Sequence, residues 1–503
     1  MDKKKGFLNI TLSVTFKFLL CFAAIFVRRI VIQSLGNELN GLNSLYLSIM
    51  DVLCVAELGV GQAITYCMYE PIVNGDTRKT SALYSFFKST YRKIGVIVFL
   101  LGLVLTAWSP YLARDYGTLD VDIRFTFFLM LLSTCITYCY GAKSALIEAH
   151  KNNYITSAIG FAGKLCQYIL QILALLLTRS FAWFLASRIL ANVLQWGLTS
   201  AVADRAYREI LTAKNTVSPA TRVKIGENVR AMFLHKIGAI VVGATDSILI
   251  SAFVGIVVLG KYSNYTTIMT SMTGVLGLLF ISLTSVVGHM CVEASPGEIA
   301  EHYNFFHGVN FCIAILFFGG YYATINCLIT FLFGEGLLLS RSVIFIMTVS
   351  YFIQFTRRAT LLFRDATGLF YADRWKSAVE ALVNLVASVA LVNWLGVSGV
   401  LIGTIITNIL ICDVIEPYVL YKNALHKSVK PFWVRNYGYI LLFVLELRLL
   451  DRLLMEQISV KALFWNAFIS IVLGVVTCLV IFSTNKPFRQ GILKGSLAKI
   501  RHK

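Results

Sequence analysis

The chain has 503 residues, 57% of them hydrophobic and 14% charged, with a net charge of +19 and a mean hydropathy of +0.73. Soluble proteins carry about a quarter of their residues as Asp, Glu, Lys and Arg, so this composition excludes a water-solvated chain and makes lipid its main solvent. The basic excess is not read as nucleic-acid binding, because it lies in short loops between apolar runs, where membrane topology and anionic lipid account for it.

Apolar runs long enough to cross a hydrocarbon core of about 30 Å recur in chain order near 12–32, 42–66, 93–113, 124–147, 155–177, 180–202, 235–257, 262–290, 304–329, 341–363, 376–395, 397–420, 434–455 and 462–483. Each must satisfy its own backbone hydrogen bonds in lipid, which selects helices. The expected class is therefore an all-α polytopic membrane protein with about 14 transmembrane helices. The first run follows Lys3, Lys4 and Lys5 but carries Lys17, Arg28 and Arg29 and lacks a small-residue cleavage site, so it is expected to be a retained helix and not a signal peptide.

Positive charge falls in alternate connections. Lys3 to Lys5, the segment from Arg78 to Lys93, the segment from Arg205 to Arg230, and the tail from Lys486 to Lys503 are basic; 33–41, 258–261 and 395–397 are nearly bare. The positive-inside rule places the basic side, and both termini, in the cytoplasm. The loop 291–303, with Glu293, Glu298 and Glu301 and no Lys or Arg, does not fit the pattern. The cysteines lie mostly within apolar spans, which argues against a disulfide framework.

A motif repeats along the chain. Gly36, Gly41, Ser44 and Tyr46 follow the first span, and Gly255, Gly260, Ser263 and Tyr265 follow the seventh; both read Gly-x4-Gly-x2-Ser-x-Tyr at an offset of 219 residues. Six intervening spans give both copies the same orientation, a parallel repeat of the kind that places substrate between two halves. The expected organisation is an N-terminal lobe at 1–203, a basic cytoplasmic linker at 204–234, a C-terminal lobe at 235–421, and a final helix pair with a basic tail at 422–503. The two six-helix lobes would surround a central cavity.

Polar residues inside the spans recur at the helical period of about 3.6 residues. Lys17, Cys21, Ala24 and Arg28 share one stripe. Ser133, Thr137, Tyr140, Ser144 and Glu148 form another in the fourth span. Ser157, Gly160, Lys164, Gln167 and Gln171 do so in the fifth, and Arg188, Asn192, Gln195 and Thr199 in the sixth. In the second lobe Gln354, Arg357 and Arg364 share a face, as do Ser377, Glu380, Asn384 and Ser388. Intramembrane cations need a wet cavity or a partner, so Arg28, Lys17, Arg188, Arg357 and Lys164 are candidate substrate-binding residues. Asp51, Glu57 and Asp246 are the acidic counterparts, either partners of those cations or carriers of a coupling proton.

Signals for catalysis are weak. Gly255 to Lys261 matches most of a P-loop, but Tyr262 stands where Ser or Thr is required. The histidines show no metal spacing, and no cofactor is expected. Without an ATP site, energy would come from an ion gradient, the membrane potential or the substrate gradient.

The run Arg28-Arg29, Leu35-Gly36 and Gly41-Leu42-Asn43-Ser44-Leu45-Tyr46, followed by Ala56-Glu57-Leu58-Gly59-Val60-Gly61, resembles the Wzx-type polysaccharide-unit flippases. So do the stretch from Tyr69 and Pro71 through Asp76 to Tyr91-Arg92-Lys93, and the seventh-to-eighth span signature Thr245-Asp246, Ile250-Ser251, Gly255 and Gly260-Lys261-Tyr262-Ser263-Asn264-Tyr265. The resemblance implies a multidrug/oligosaccharidyl-lipid/polysaccharide exporter fold in the cytoplasmic membrane. It also implies that an undecaprenyl-pyrophosphate-linked oligosaccharide is the cargo. The partners it implies are membrane lipids, a proton or sodium ion, and polysaccharide polymerase and assembly proteins. A multidrug or lipid II exporter of the same superfamily is the alternative of like fold. A polysaccharide polymerase or ligase is the enzymatic one, disfavoured by the lack of a substantial outer loop.

Overall fold

The computed structural model describes residues 3–57, 59–114, 117, 119–213, 215–369 and 372–490. Eighteen α-helices occur among them, and each of the expected spans coincides with a helix or with a pair of helices joined end to end. In order these are α1 (Lys3–Leu35), α2 (Asn37–Leu53), α3 (Val60–Val73), α4 (Thr77–Leu112), α5 (Ile123–Ala149) and α6 (Asn153–Thr178). Then come α7 (Phe181–Ala206), the short α8 (Arg208–Thr212), α9 (Pro219–Leu249), α10 (Ile256–Glu293), α11 (Pro296–Phe333) and α12 (Arg341–Thr356). The last six are α13 (Arg358–Ala366), α14 (Lys376–Leu395), α15 (Val397–Thr407), α16 (Asp413–Leu420), α17 (Lys430–Leu453) and α18 (Val460–Thr484). Eight helices among the described residues are long and apolar enough to cross a membrane. Their outward side chains are large and apolar, as at Leu177, Trp394 and Leu479, which in water would be an untenable surface. The chain is a multi-pass membrane protein.

The helix ends follow from local chemistry. Asp76 caps α4 by accepting the Lys79 amide at 2.9 Å, and that amide holds the Asp76 carboxyl below the usual carboxylate range. Asp122 caps α5 through the Arg124 and Phe125 amides. Ser218 and Ser295 each precede a proline at the first helical turn of α9 and α11, and Ser295 completes a capping box with Glu298. Two spans that read as continuous in the sequence are broken. The second stops at Leu53, passes through a 3-10 turn at Cys54–Glu57 and restarts after Gly59, which sits at φ 81°. The tenth is interrupted at Arg357, between α12 and α13.

Two compact units divide the chain, Met1–Ser263 and Asn264–Lys503. In the first, α5, α6 and α7 pack on one another, α4 lies on α5, α1 on α6, and α2 and α3 on α9. In the second, α14 and α15 form a tight hairpin against α12, while α11 packs on α12 and α18, and α17 on α18.

The repeated motif has the same local form at both places. Gly36 (φ 89°, ψ 168°) and Gly255 (φ 125°, ψ 159°) each stand between two helices in a conformation that side-chain-bearing residues rarely adopt. Tyr46 is fully buried and its hydroxyl donates to the Ile123 carbonyl at 2.9 Å, the start of α5. Tyr265 is buried likewise, and its hydroxyl accepts the Leu339 amide at 3.2 Å, just ahead of α12. Within the first unit the second glycines of the two copies meet. A Cβ on Gly41 would strike the Ile256 carbonyl and stand 3.0 Å from the Gly260 nitrogen, and one on Gly260 would strike the Asn37 carbonyl. Because these obstacles are backbone, Gly41→Ala is expected to destabilise the protein by about 1–3 kcal/mol, the usual range for overpacking. Heating detergent-solubilised protein and following the monodisperse fraction measures this; a wild-type melting curve would show that the two helices separate without cost.

Candidate functional site

Three polar stripes legible from helical spacing converge in the first unit. A cavity of about 610 Å³ opens between α1, α2, α5, α6 and α7. Helix α5 presents Ser133, Thr137 and Tyr140 to it, α6 presents Ser157, Lys164 and Gln167, and α7 presents Arg188, Asn192 and Gln195. Asp51, at the end of α2 where the second span breaks, lines the same space with Cys54. The wall therefore joins amides and hydroxyls, two cations and one carboxylate to apolar side chains such as Phe16, Leu47 and Phe161.

Among the described residues neither cation is paired with a carboxylate. Lys164 Nζ donates to Gln167 Oε1 at 3.0 Å. Arg188 reaches the Met130 sulfur at 3.1 Å, and its Nε is buried with no hydrogen-bond partner. The two charges lie close enough to repel each other, and among the described residues no carboxylate forms an ion pair with either. Asn192 is held in place by donating to the Ser133 carbonyl and hydroxyl at 2.8 and 3.0 Å. An arginine with an idle nitrogen and a lysine in the same cavity are groups whose chemistry suits the oxygens of an anion.

Arg28, Glu57, Asp246 and Arg357 lie elsewhere. Arg28 does not line this cavity. Its guanidinium donates to Ser263 Oγ at 3.0 Å and to Ser44 Oγ at 3.5 Å, so it joins the serines of both motif copies beside the Gly41–Gly260 approach. Glu57 sits in the 3-10 turn near Tyr138, whose hydroxyl faces Cys54 Sγ at 3.5 Å. Asp246 is buried on α9. The side chain of Lys17, on α1, lies outside the described residues.

Arg357 belongs to a separate cluster in the second unit. Its guanidinium grips both oxygens of Glu416, at 3.1 and 2.6 Å, and reaches Glu380 at 3.4 Å. Lys376 completes the arrangement at 2.6 Å from Glu416 and 2.9 Å from Glu380. Two cations and two carboxylates thus neutralise one another inside the helices. A π-helical turn at Asn408–Cys412, immediately before Glu416's helix α16, turns Asn408 Oδ1 onto the same guanidinium. Sequence spacing placed Glu380 on a polar face but passed over Lys376 and Glu416. Lys376 stands one helical turn before Glu380, and Glu416 in an otherwise apolar run, which were the available signals. No group of three His, Cys, Asp or Glu side chains among the described residues is arranged to hold a metal, and all eleven cysteines are free thiols.

No family model matches the sequence, and no curated protein matches it. Solved structures do. The chain is similar to the lipid II flippase MurJ in an inward closed conformation, with a TM-score of 0.67 at 13% identity over 96% of this chain and 99% of that one. It is similar to an inward-facing multidrug resistance MATE family transporter of the MOP superfamily, with a TM-score of 0.61 at 13% identity over 83% of this chain and 99% of that one. A MOP superfamily transporter from Pyrococcus furiosus, described by a reversed polarity of its binding pocket, gives 0.58 at 14% identity, covering 84% and 95%. At such identities the likeness establishes architecture, and the chain has the fold of the MOP superfamily transporters.

Proposed function

We propose that this protein carries a pyrophosphate-linked oligosaccharide on a polyprenyl lipid across the cytoplasmic membrane by alternating access, with Lys164 and Arg188 receiving the pyrophosphate. The observation that carries this reading is the pair of cations without a carboxylate partner among the described residues, in a cavity of about 610 Å³ that also carries amides and hydroxyls. That volume lies in the range of roughly 300–1,000 Å³ occupied by small-molecule sites and suits a headgroup with its first sugars, while the lipid tail stays in the bilayer. Hydroxyls and amides of α5, α6 and α7 would hold the sugars. Arg28 would act at the hinge of the two motif copies, and Asp51 would face the cations when the cargo is gone. The charge asymmetry of the loops would place both termini in the cytoplasm, which a reporter fused after Lys79 checks.

Lipid II is the second cargo to consider, favoured by the likeness to MurJ over 96% of the chain; it too presents a pyrophosphate. Proteoliposomes containing purified protein and either a fluorescent lipid-linked oligosaccharide or lipid II decide between them. The expected result is accelerated exposure of the oligosaccharide carrier at the opposite leaflet. Equal rates with and without protein for both lipids would refute the flippase reading.

A further inference from the structure

Helix α17 carries an acid in the middle of its apolar length. Glu446 is 5% exposed, and both of its carboxyl oxygens are buried with no hydrogen-bond partner. Oε1 presses on α11, 3.0 Å from where a Cβ on Gly319 would stand, and lies 3.7 Å from one on Gly474 of α18. Those two glycines make the room the carboxyl occupies. The Thr477 hydroxyl is beside it but donates to the Leu473 carbonyl at 3.0 Å. Ser470, on the same face of α18, donates to the Ala467 carbonyl at 2.9 Å.

The charged groups on the packed helices are engaged elsewhere. Arg448 of α17 stacks over the Phe345 ring of α12 at 4.2 Å, and Asp451 pairs with Arg341 at 3.0 Å. On α16, Glu416 is held by Arg357 and Lys376, and Asp413 lies near Asn436. His307 of α11 meets Asn436 at 3.2 Å. The titratable neighbours are two thiols, Cys312 of α11 and Cys478 of α18, the second donating to the Cys312 carbonyl at 3.8 Å. Among the described residues no cation forms an ion pair with Glu446. An ionised carboxylate left without cation or donor at this depth is strongly disfavoured, whereas the neutral acid is tolerated.

We propose that Glu446 is a proton-binding site, protonated while α18 packs on α11 and α17, and ionised when α18 moves away and admits water. On release the O–H bond breaks, its electron pair stays on the carboxylate and the proton passes to water. A sodium ion is disfavoured because hard cations gather about six oxygens, and the hydroxyl beside this carboxyl, that of Thr477, already donates to a backbone carbonyl. As the coupling ion of transport, this proton rests on the function proposed above; the protonation itself does not.

Infrared spectroscopy of the full-length protein in nanodiscs, without cargo, tests the site. The expected result is a protonated-carboxyl carbonyl band that is absent in Glu446→Gln, shifted in Glu446→Asp, and insensitive to sodium chloride. A spectrum in which Glu446→Gln changes nothing, with both variants folded and melting like the wild type, overturns the proposal; so does a band that sodium removes at constant pH. Flipping assays then test coupling. An imposed pH gradient should change the wild-type rate several-fold and leave the Glu446→Gln rate unchanged. A full gradient response in Glu446→Gln would refute the coupling, and absence of flipping by every form, with the infrared band present, would refute the transport reading and leave the proton site standing.

Discussion

Alanine in place of Arg188 is expected to reduce flipping of the lipid-linked oligosaccharide by roughly 30- to 200-fold, the equivalent of about 2–3 kcal/mol for one charged hydrogen-bonding group facing a phosphate. Lysine should recover part of the loss, because it restores the charge but not the planar fork that meets two phosphate oxygens at once. Lys164→Gln should cost less, since Lys164 acts as a point charge and its partner Gln167 remains. The two effects should not add, because both side chains meet the same group. The geometry also predicts a binding signature: inorganic pyrophosphate should raise the melting temperature of the wild type, where it relieves the repulsion between the two cations, and leave Arg188→Ala unmoved. If Arg188 is only a packing residue against Met130, alanine should lower abundance and melting temperature while the surviving protein flips at the wild-type rate. Rates normalised to folded protein separate these outcomes, and a normal rate for Arg188→Ala would remove it from the cargo site.

How far the sequence reveals this arrangement depends on how local each interaction is. A span in lipid closes its own hydrogen bonds, so apolar length alone locates the helices. Helical periodicity needs only one segment at a time. It therefore exposed the stripes of Ser133 to Tyr140, Ser157 to Gln167 and Arg188 to Gln195, which the fold brings to one cavity. The break between Leu53 and Val60 was hidden because the residues on both sides are apolar; Gly59 was the trace it left. Arg28 and Arg357 looked alike as intramembrane cations. What distinguishes them is the partner each finds: serines 16 and 235 residues away for Arg28, a carboxylate 59 residues away for Arg357. No spacing rule reaches that far. Glu446 has no polar companion one turn away on α17, so periodicity gave no reason to single it out.

That difference in partners leads to the effect expected at Arg357. Arg357→Ala should destabilise the protein by about 3–5 kcal/mol, the usual consequence of removing one member of a buried ion pair and leaving its carboxylate uncompensated. Glu416 is fully buried and would keep only Lys376, while Glu380 competes for the same ammonium. Glu416→Gln should also destabilise, because it leaves Glu380, at 3.4 Å, as the one carboxylate in contact with Arg357, beside the neutral Asn408. Replacing both, Arg357→Met with Glu416→Leu, should cost less than the sum of the single changes, since each partner's desolvation is removed along with its charge. Melting of the wild type, Arg357→Met, Glu416→Leu and the double variant in detergent gives this cycle. The alternative is that Arg357 is a cargo cation whose carboxylates hold it only between transport events. In that case Arg357→Ala should melt close to the wild type and fail to flip, and Glu416→Gln should bind the pyrophosphate headgroup more tightly by freeing the guanidinium. Strong destabilisation of both single variants together with a positive coupling between them would assign Arg357 to holding α14 and α16 onto the α12–α13 break, and leave anion recognition in this protein to Lys164 and Arg188.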